Sequence, residues 1–175
     1  MSDSVLEALR VRRSVRNYTG EHIADDVLDQ VLEAGLVSAS GRGLRPWEFV
    51  VVRERATLDA LATSRAHGAG MLTGADAAIL VFGRAEVDTW IEDCCIAMAN
   101  MHLAADALGL GSCWIQGRMR EAADGRLTSD VVRELLAVPA GYELEAILSL
   151  GMPVEHPAPR ELGDDLRAKV HRERF

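Results

Sequence analysis

The sequence predicts an α+β fold in which helices are layered against a sheet. Two short runs, Trp47 to Val52 and Ala77 to Phe82, are rich in β-branched, aromatic or aliphatic residues and bounded by turn signals, as buried strands are. A much longer apolar segment, Trp90 to Leu108, has the length of a helix. Helices and strands do not alternate regularly along the chain, which disfavours a doubly wound parallel sheet.

The elements follow in order. Ser4 with Glu7 three residues later can form a capping box that starts a helix carrying Val5, Leu6 and Leu9 and ending near Arg13. Val27, Leu28, Val31, Leu32 and Ala34 recur at helical spacing between Asp25 and Val37, and Ser40-Gly41-Arg42-Gly43 breaks that helix into a loop. After the strand at 47–52, Thr57 to Thr63 reads as helical. His67-Gly68-Ala69-Gly70 is a glycine-bearing loop, either a plain surface loop or one that approaches a ligand closely. Thr89-Trp90-Ile91-Glu92 is a second capping box opening the long apolar helix, which spans roughly 30 Å before Gly109 and Gly111 stop it. A strand at Ser112 to Gln116, a helix from Ser129 to Leu136 and a strand at Leu144 to Leu150 complete the core, followed by a proline-rich tail and a short charged segment.

With 175 residues, 49% of them hydrophobic, the chain can fill one core, and a single domain over 1–175 is expected. No long stretch is both charge-rich and poor in large apolar residues, so the chain should fold. A formal net charge of -8 repels phosphate backbones and anionic lipid, so a small-molecule partner is expected rather than nucleic acid or membrane. Glu92, Asp93, Asn100, His102 and Asp106 interrupt the long helix and exclude a comfortable membrane span. A helix apolar nearly all round in so small a protein suggests a subunit interface. Cys94, Cys95 and Cys113 form neither a disulfide framework nor a zinc pattern, so reduced thiols and no metal are expected. Met1 to Glu7 has no basic stretch leading into an apolar one, so export is not expected and the cytoplasm is the expected compartment.

Three segments could carry chemistry. Arg12-Arg13-Ser14-Val15-Arg16 crowds three guanidinium groups and a hydroxyl beside a helix end. Such a set suits phosphate, and full charges are needed there because a helix C-terminus repels anions. The same residues could instead be a solvated face or partners of the helix dipole, and composition leaves this undecided. Leu108 to Gly117 places glycines before a strand ending in Gln116 and Gly117. The glycines close a helix rather than open one, so this is no dinucleotide fingerprint. It is either a tight helix-to-strand turn or a backbone edge open to a planar ligand. Ser40 to Trp47 is a loop with Arg42 and Arg45 feeding a strand, where Trp47 also reads as a core aromatic. Nothing resembles a hydrolytic triad, a zinc-protease helix or a P-loop, so a cofactor must carry any difficult step.

Taken in order, these segments resemble the nitroreductase family along nearly the whole chain. Its R-R-S-x-R-like motif is matched by Arg12, Arg13, Ser14 and Arg16, which by resemblance bind the phosphate and ribityl chain of FMN. Its P-S-x-x-N-x-Q-P-W motif resembles Ala39-Ser40-Gly41-Arg42-Gly43-Leu44-Arg45-Pro46-Trp47, with Gly43 and Arg45 in the Asn and Gln positions. The family uses that loop against the FMN of the partner subunit. Arg45 in place of the amide favours an anionic substrate or the extra phosphate of NADPH.

Trp90 to Ala105 is similar to the family's dimer-core helix, and Trp114, Ile115, Gln116 and Gly117 fall where its members line the flavin, with a backbone N–H at or near Gly117 supporting N5. Leu148 to Arg160 resembles its L-G-Y-P-x-E-x-P-x-x-R stretch, with Met152 for the Tyr and Arg160 as a further phosphate ligand.

The resemblance implies a three-layer fold with a mostly antiparallel central sheet and an interlocked homodimer. It also implies FMN as cofactor, NADH or NADPH as reductant, and ping-pong reduction of small flat electrophiles such as nitroaromatics and quinones. The flavin would carry the chemistry without a catalytic side chain. Relatives reduce enones, dehalogenate rings or break down flavin, and a non-catalytic dimeric flavin-binding module is the remaining alternative.

Overall fold

The computed structural model describes the chain from Asp3 to Phe175, with side chains from Val5 onward. The Ser4 cap therefore lies outside the described side chains. In order, the elements are α1 (Asp3–Val11), α2 (Asp25–Leu36), β1 (Trp47–Val52), α3 (Arg55–Thr63), β2 (Ala77–Arg84), α4 (Trp90–Ala107), β3 (Gly111–Gln116), α5 (Thr128–Leu135), β4 (Tyr142–Gly151) and α6 (Asp164–Arg167). Short 3-10 turns at Gly41–Gly43 and Gly70–Thr73 precede β1 and β2.

The four strands form one sheet in the order β1-β2-β4-β3, with every pairing antiparallel. The α+β expectation holds, and its physical basis is visible in β2, which is buried on both faces. Ala77, Ile79 and Val81 point into a core with Leu28 and Val31 of α2 and Ala97, Met98 and Met101 of α4. Ala78, Leu80 and Phe82 point the other way, onto Leu58 and Leu61 of α3, Leu72 and Val132 of α5. A sheet buried on both sides reads as unbroken apolar runs, as the sequence does at 77–82.

Register shifts between Val81 and Phe82, where Ala146 and Leu144 are the partners and Glu145 is the extra residue. This bulge turns Leu144 to the α3/α5 side while Ala146 keeps the α4 side.

Several ends differ from expectation. The first helix stops at Val11 rather than Arg13, so the arginines lie in extended chain. β4 begins at Tyr142 and ends at Gly151, longer at both ends. α3 begins at Arg55 because the Glu54 carboxylate accepts from the N–H groups of Ala56 and Thr57, a cap made by a residue outside the usual set. The capping box at Thr89 does not form. Its hydroxyl donates to Asp93 Oδ2 at 2.9 Å and not to the helix backbone. Among the described residues no helix is long and apolar enough to cross a membrane.

Candidate functional site

Segment 12–16 runs over the start of β3, an edge strand, and the C-terminal half of α4. Val15 is buried and its N–H donates to the Ser112 carbonyl at 2.9 Å. A Cβ on Gly111 would stand 2.7 Å from Val15 Cγ1, so only glycine lets the segment lie this close. Tyr18 closes the turn, donating to the Val15 carbonyl at 3.0 Å and sharing a hydrogen bond with Ser149 Oγ at 2.7 Å; burial raises its phenol well above the usual value.

Each arginine is held differently. Arg12 Nη1 donates to His102 Nε2 at 2.7 Å, and His102 Nδ1 meets Ser112 Oγ at 2.6 Å. Burial and the Arg12 charge push His102 down to about 4, against a smaller opposing pull from Asp106, so the ring is neutral near pH 7. Arg13 places its N–H on Asp106 Oδ2 at 3.2 Å and its guanidinium on the Ala158 carbonyl. Asp106 Oδ2 also accepts from His156 Nε2 at 2.7 Å, and the Arg160 N–H donates to the Arg10 carbonyl at 2.9 Å. The tail bearing Arg160 is thus tied beside the end of α1. Arg16 is exposed. Burial raises the Cys113 thiol, while Arg16, the Ser14 side chain and Arg12 pull it down, which places all three beside this cysteine.

Ser112 and Trp114 stand on the α4 face of β3, whereas Ile115 is buried in the opposite core with α3 and α5. This corrects the expectation for Ile115, whose side chain cannot line a ligand on that face. The Gln116 amide is also occupied. Its Oε1 accepts from Trp114 Nε1 at 2.9 Å, and its Nε2 donates to Glu145 Oε1 at 2.8 Å. The N–H of Gly117, expected to face a flavin, donates to the Glu145 carbonyl at 3.0 Å. A Cβ there would fall 2.5 Å from Leu144 Cδ2, so close packing explains the glycine.

The loop holding Ala39, Ser40, Gly41, Arg45 and Pro46 hangs on the other end of α4. Buried Asp93 accepts the Gly41 N–H on Oδ1 at 2.7 Å, and Ser40 Oγ accepts the Arg45 N–H at 3.0 Å. Arg42 pairs with Asp88 at 2.5 Å. Ala39 and Arg45 are exposed, Pro46 is buried, and Arg42 and Arg45 take left-handed φ of 54° and 45°. Nine residues of helix, about 14 Å, separate Asp93 from His102. One chain therefore gathers Arg12, Arg13, Ser14, Arg16 and Arg160 but holds the second loop at the far end of α4.

Sequence reasoning missed three residues that shape these surroundings. His102 reads there only as an interruption of an apolar helix. Glu145 is buried, ion-pairs with Arg118 Nε at 3.2 Å and anchors Gln116; a carboxylate inside an apolar strand was its only signal. Arg65 donates to the Gln116 carbonyl at 3.1 Å, and nothing local foretells it. The glycine-bearing loop contributes Gly70, which with Met71, Thr73 and Gly74 faces Arg16, Asn17 and Tyr18 across an open groove.

A four-stranded antiparallel sheet between two helical layers, with an arginine-rich turn laid over an edge strand, defines a small α+β protein of distinctive build. The family model described as "Nitroreductase family" matches residues 9–69 and 62–152. A protein of Methanothermobacter thermautotrophicus named "Putative NADH dehydrogenase/NAD(P)H nitroreductase" is 33% identical, over 98% of this chain and 87% of its own length. A solved "FMN-dependent Nitroreductase" from Clostridium difficile R20291 superposes with a TM-score of 0.93 at 38% identity, covering 97% of this chain and 99% of its own. A Desulfovibrio desulfuricans structure described as "a putative nitroreductase in complex with fmn" gives 0.76 at 30% identity, covering 98% of each chain. The chain belongs to the nitroreductase family.

Proposed function

We propose that this chain is an FMN-dependent oxidoreductase that takes electrons from NADH or NADPH and passes them to small flat electrophiles such as nitroaromatics and quinones. One observation carries the reading. Arg12, Arg13 and Arg16 sit within five residues at a sheet edge, and among the described residues none of them pairs with a carboxylate. The chain has 27 acidic and 19 basic residues, and Arg42, Arg53, Arg55, Arg118, Arg126 and Arg133 all have acidic partners. Guanidinium groups left without carboxylates amid such an excess fit an anion from outside the chain. The printed names of the relatives support FMN as that anion and NAD(P)H as donor.

In this reading Arg12, Arg13, Ser14 and Arg16 hold the phosphate end, with Arg160 nearby. Trp114, Gln116 and the backbone of Ile115 and Gly117 flank the ring, four β residues or about 13 Å from Ser112 to Gln116. Bound FMN supplies the hydride chemistry, and no side-chain acid is required for its reduction. The protein contributes position and positive field. Donor and acceptor take turns in one cleft, which is the ping-pong order.

The working unit is a cytoplasmic homodimer of single-domain subunits covering 1–175. Ile96 on α4 is 41% exposed, and Leu36 and Val37 at the end of α2 are 57% and 74% exposed, apolar surface that a second copy would cover. In the dimer, Ala39, Ser40, Gly41, Arg45 and Pro46 approach the cofactor of the other subunit. Protein purified without added cofactor should be yellow and should bleach anaerobically with NADH or NADPH. Colourless protein that ignores added FMN overturns the reading, and intersecting rather than parallel double-reciprocal lines overturn the ping-pong order.

A further inference from the structure

Arg12 is singular among the half-buried arginines in what it touches. Arg53 leans on Asp76 at 2.8 Å, Arg118 on Glu145 at 3.2 Å and Arg133 on Glu143 at 3.1 Å. Arg12 leans on an imidazole at 2.7 Å. Because a guanidinium only donates, His102 Nε2 must accept, which puts the ring proton on Nδ1, pointing at Ser112 Oγ 2.6 Å away. Three residues from three elements thus form one directed chain, Arg12 to His102 to Ser112.

We propose that His102 is a positioning residue for the phosphate of the flavin: clamped by Ser112, its ring aims the Arg12 guanidinium without cancelling its charge. This rests on the FMN reading above. The physical distinction is between fixing an arginine and neutralising it. A carboxylate in the same place would orient Arg12 equally well but would remove most of its attraction for an incoming anion. A neutral acceptor supplies geometry and leaves the full positive charge outward.

The nearest carboxylate, Asp106, lies one turn further along α4 and is occupied by the Arg13 N–H and His156. Burial at 6% exposure keeps the ring uncharged beside Arg12, and Arg12, Asp106 and Ser112 are the polar groups that bear on it. Arg12 spends one donor on His102, and the remaining guanidinium N–H groups stay available for the anion.

The test compares FMN with riboflavin, which differ by the phosphate. Holoprotein, His102→Leu, His102→Gln and His102→Glu are equilibrated with each flavin, and flavin fluorescence reports both dissociation constants. Wild type should prefer FMN. His102→Leu should weaken FMN about tenfold while leaving riboflavin unchanged. His102→Gln, which keeps an acceptor, should restore most of the preference, and His102→Glu should weaken FMN more than leucine does. A wild type that prefers FMN while the leucine variant keeps the same FMN-to-riboflavin ratio, or loses both flavins equally, overturns the role of His102 alone. A wild type that binds neither flavin overturns the FMN reading itself. Independently of any variant's folding, 15N NMR of the wild-type holoprotein should find the His102 proton on Nδ1; a proton on Nε2 overturns the proposal.

Discussion

The two arginine-bearing segments at opposite ends of α4 solve different problems with the same side chain. Near the C-terminal end, Arg12, Arg13 and Arg16 are held by an imidazole, a carbonyl and solvent, and among the described residues they keep their charge unpaired. Near the N-terminal end, Arg42 is paired with Asp88, and the loop is shaped by backbone contacts to Asp93 and Ser40. The first arrangement keeps charge for a ligand, whereas the second uses polar groups to hold a loop in an uncommon backbone shape. What decides the role of an arginine is therefore its partner's charge, and that is set by tertiary placement.

Arg12→Ala should break this contrast most strongly. Losing about two charge-assisted hydrogen bonds to phosphate should weaken FMN binding on the order of a thousandfold, measured by flavin release on dilution. Retained FMN would move the anion site elsewhere.

The second effect concerns pH. His102 is depressed from 6.5 to about 4 in the folded protein, so between those values the unfolded chain binds the extra proton. Stability should therefore fall as pH drops from about 6.5 to about 4, by up to about 3 kcal/mol from this group. Denaturant titrations of wild type against His102→Gln should show a shallower fall in the variant, and identical slopes would refute the buried neutral ring.

Removing the pin of the other loop should act on shape and not on charge. Asp93→Ala leaves the Gly41 N–H and Thr89 hydroxyl without their acceptor, costing about 2 kcal/mol and lowering Tm by about 4–8 °C. The FMN-to-riboflavin ratio should stay unchanged; a changed ratio would mean that the two ends of α4 are one site. The smallest effect is at exposed Arg45, where Arg45→Gln should narrow any preference for NADPH over NADH by about threefold, about 0.7 kcal/mol for a screened charge. An unchanged ratio of kcat/KM for the two donors would remove Arg45 from donor recognition.

Much of this was legible along the chain. The apolar runs at 47–52 and 77–82 became β1 and the start of β2, and the asymmetric element order excluded a parallel sheet. The arginine cluster and the helix-to-strand turn were visible because they are local. What escaped was nonlocal or competitive. Thr89 looked like a cap until Asp93, four residues on, drew its hydroxyl, and no composition rule foresees that contest. Ile115 could have been placed correctly from strand alternation, since Ser112 and Trp114 share the opposite face. His102, Glu145 and Arg65 could not, because each takes its meaning from a partner at least ten positions away, Ser112, Gln116 and again Gln116.

The central claim, that unpaired guanidinium groups hold the phosphate end of the flavin, is tested most directly by the 31P resonance of FMN in the holoprotein as pH is varied. Enclosed by Arg12, Arg13 and Arg16, the phosphate should stay dianionic and its resonance should stay fixed through the ordinary second ionisation at about 6. A resonance that titrates there as free FMN does would contradict the account.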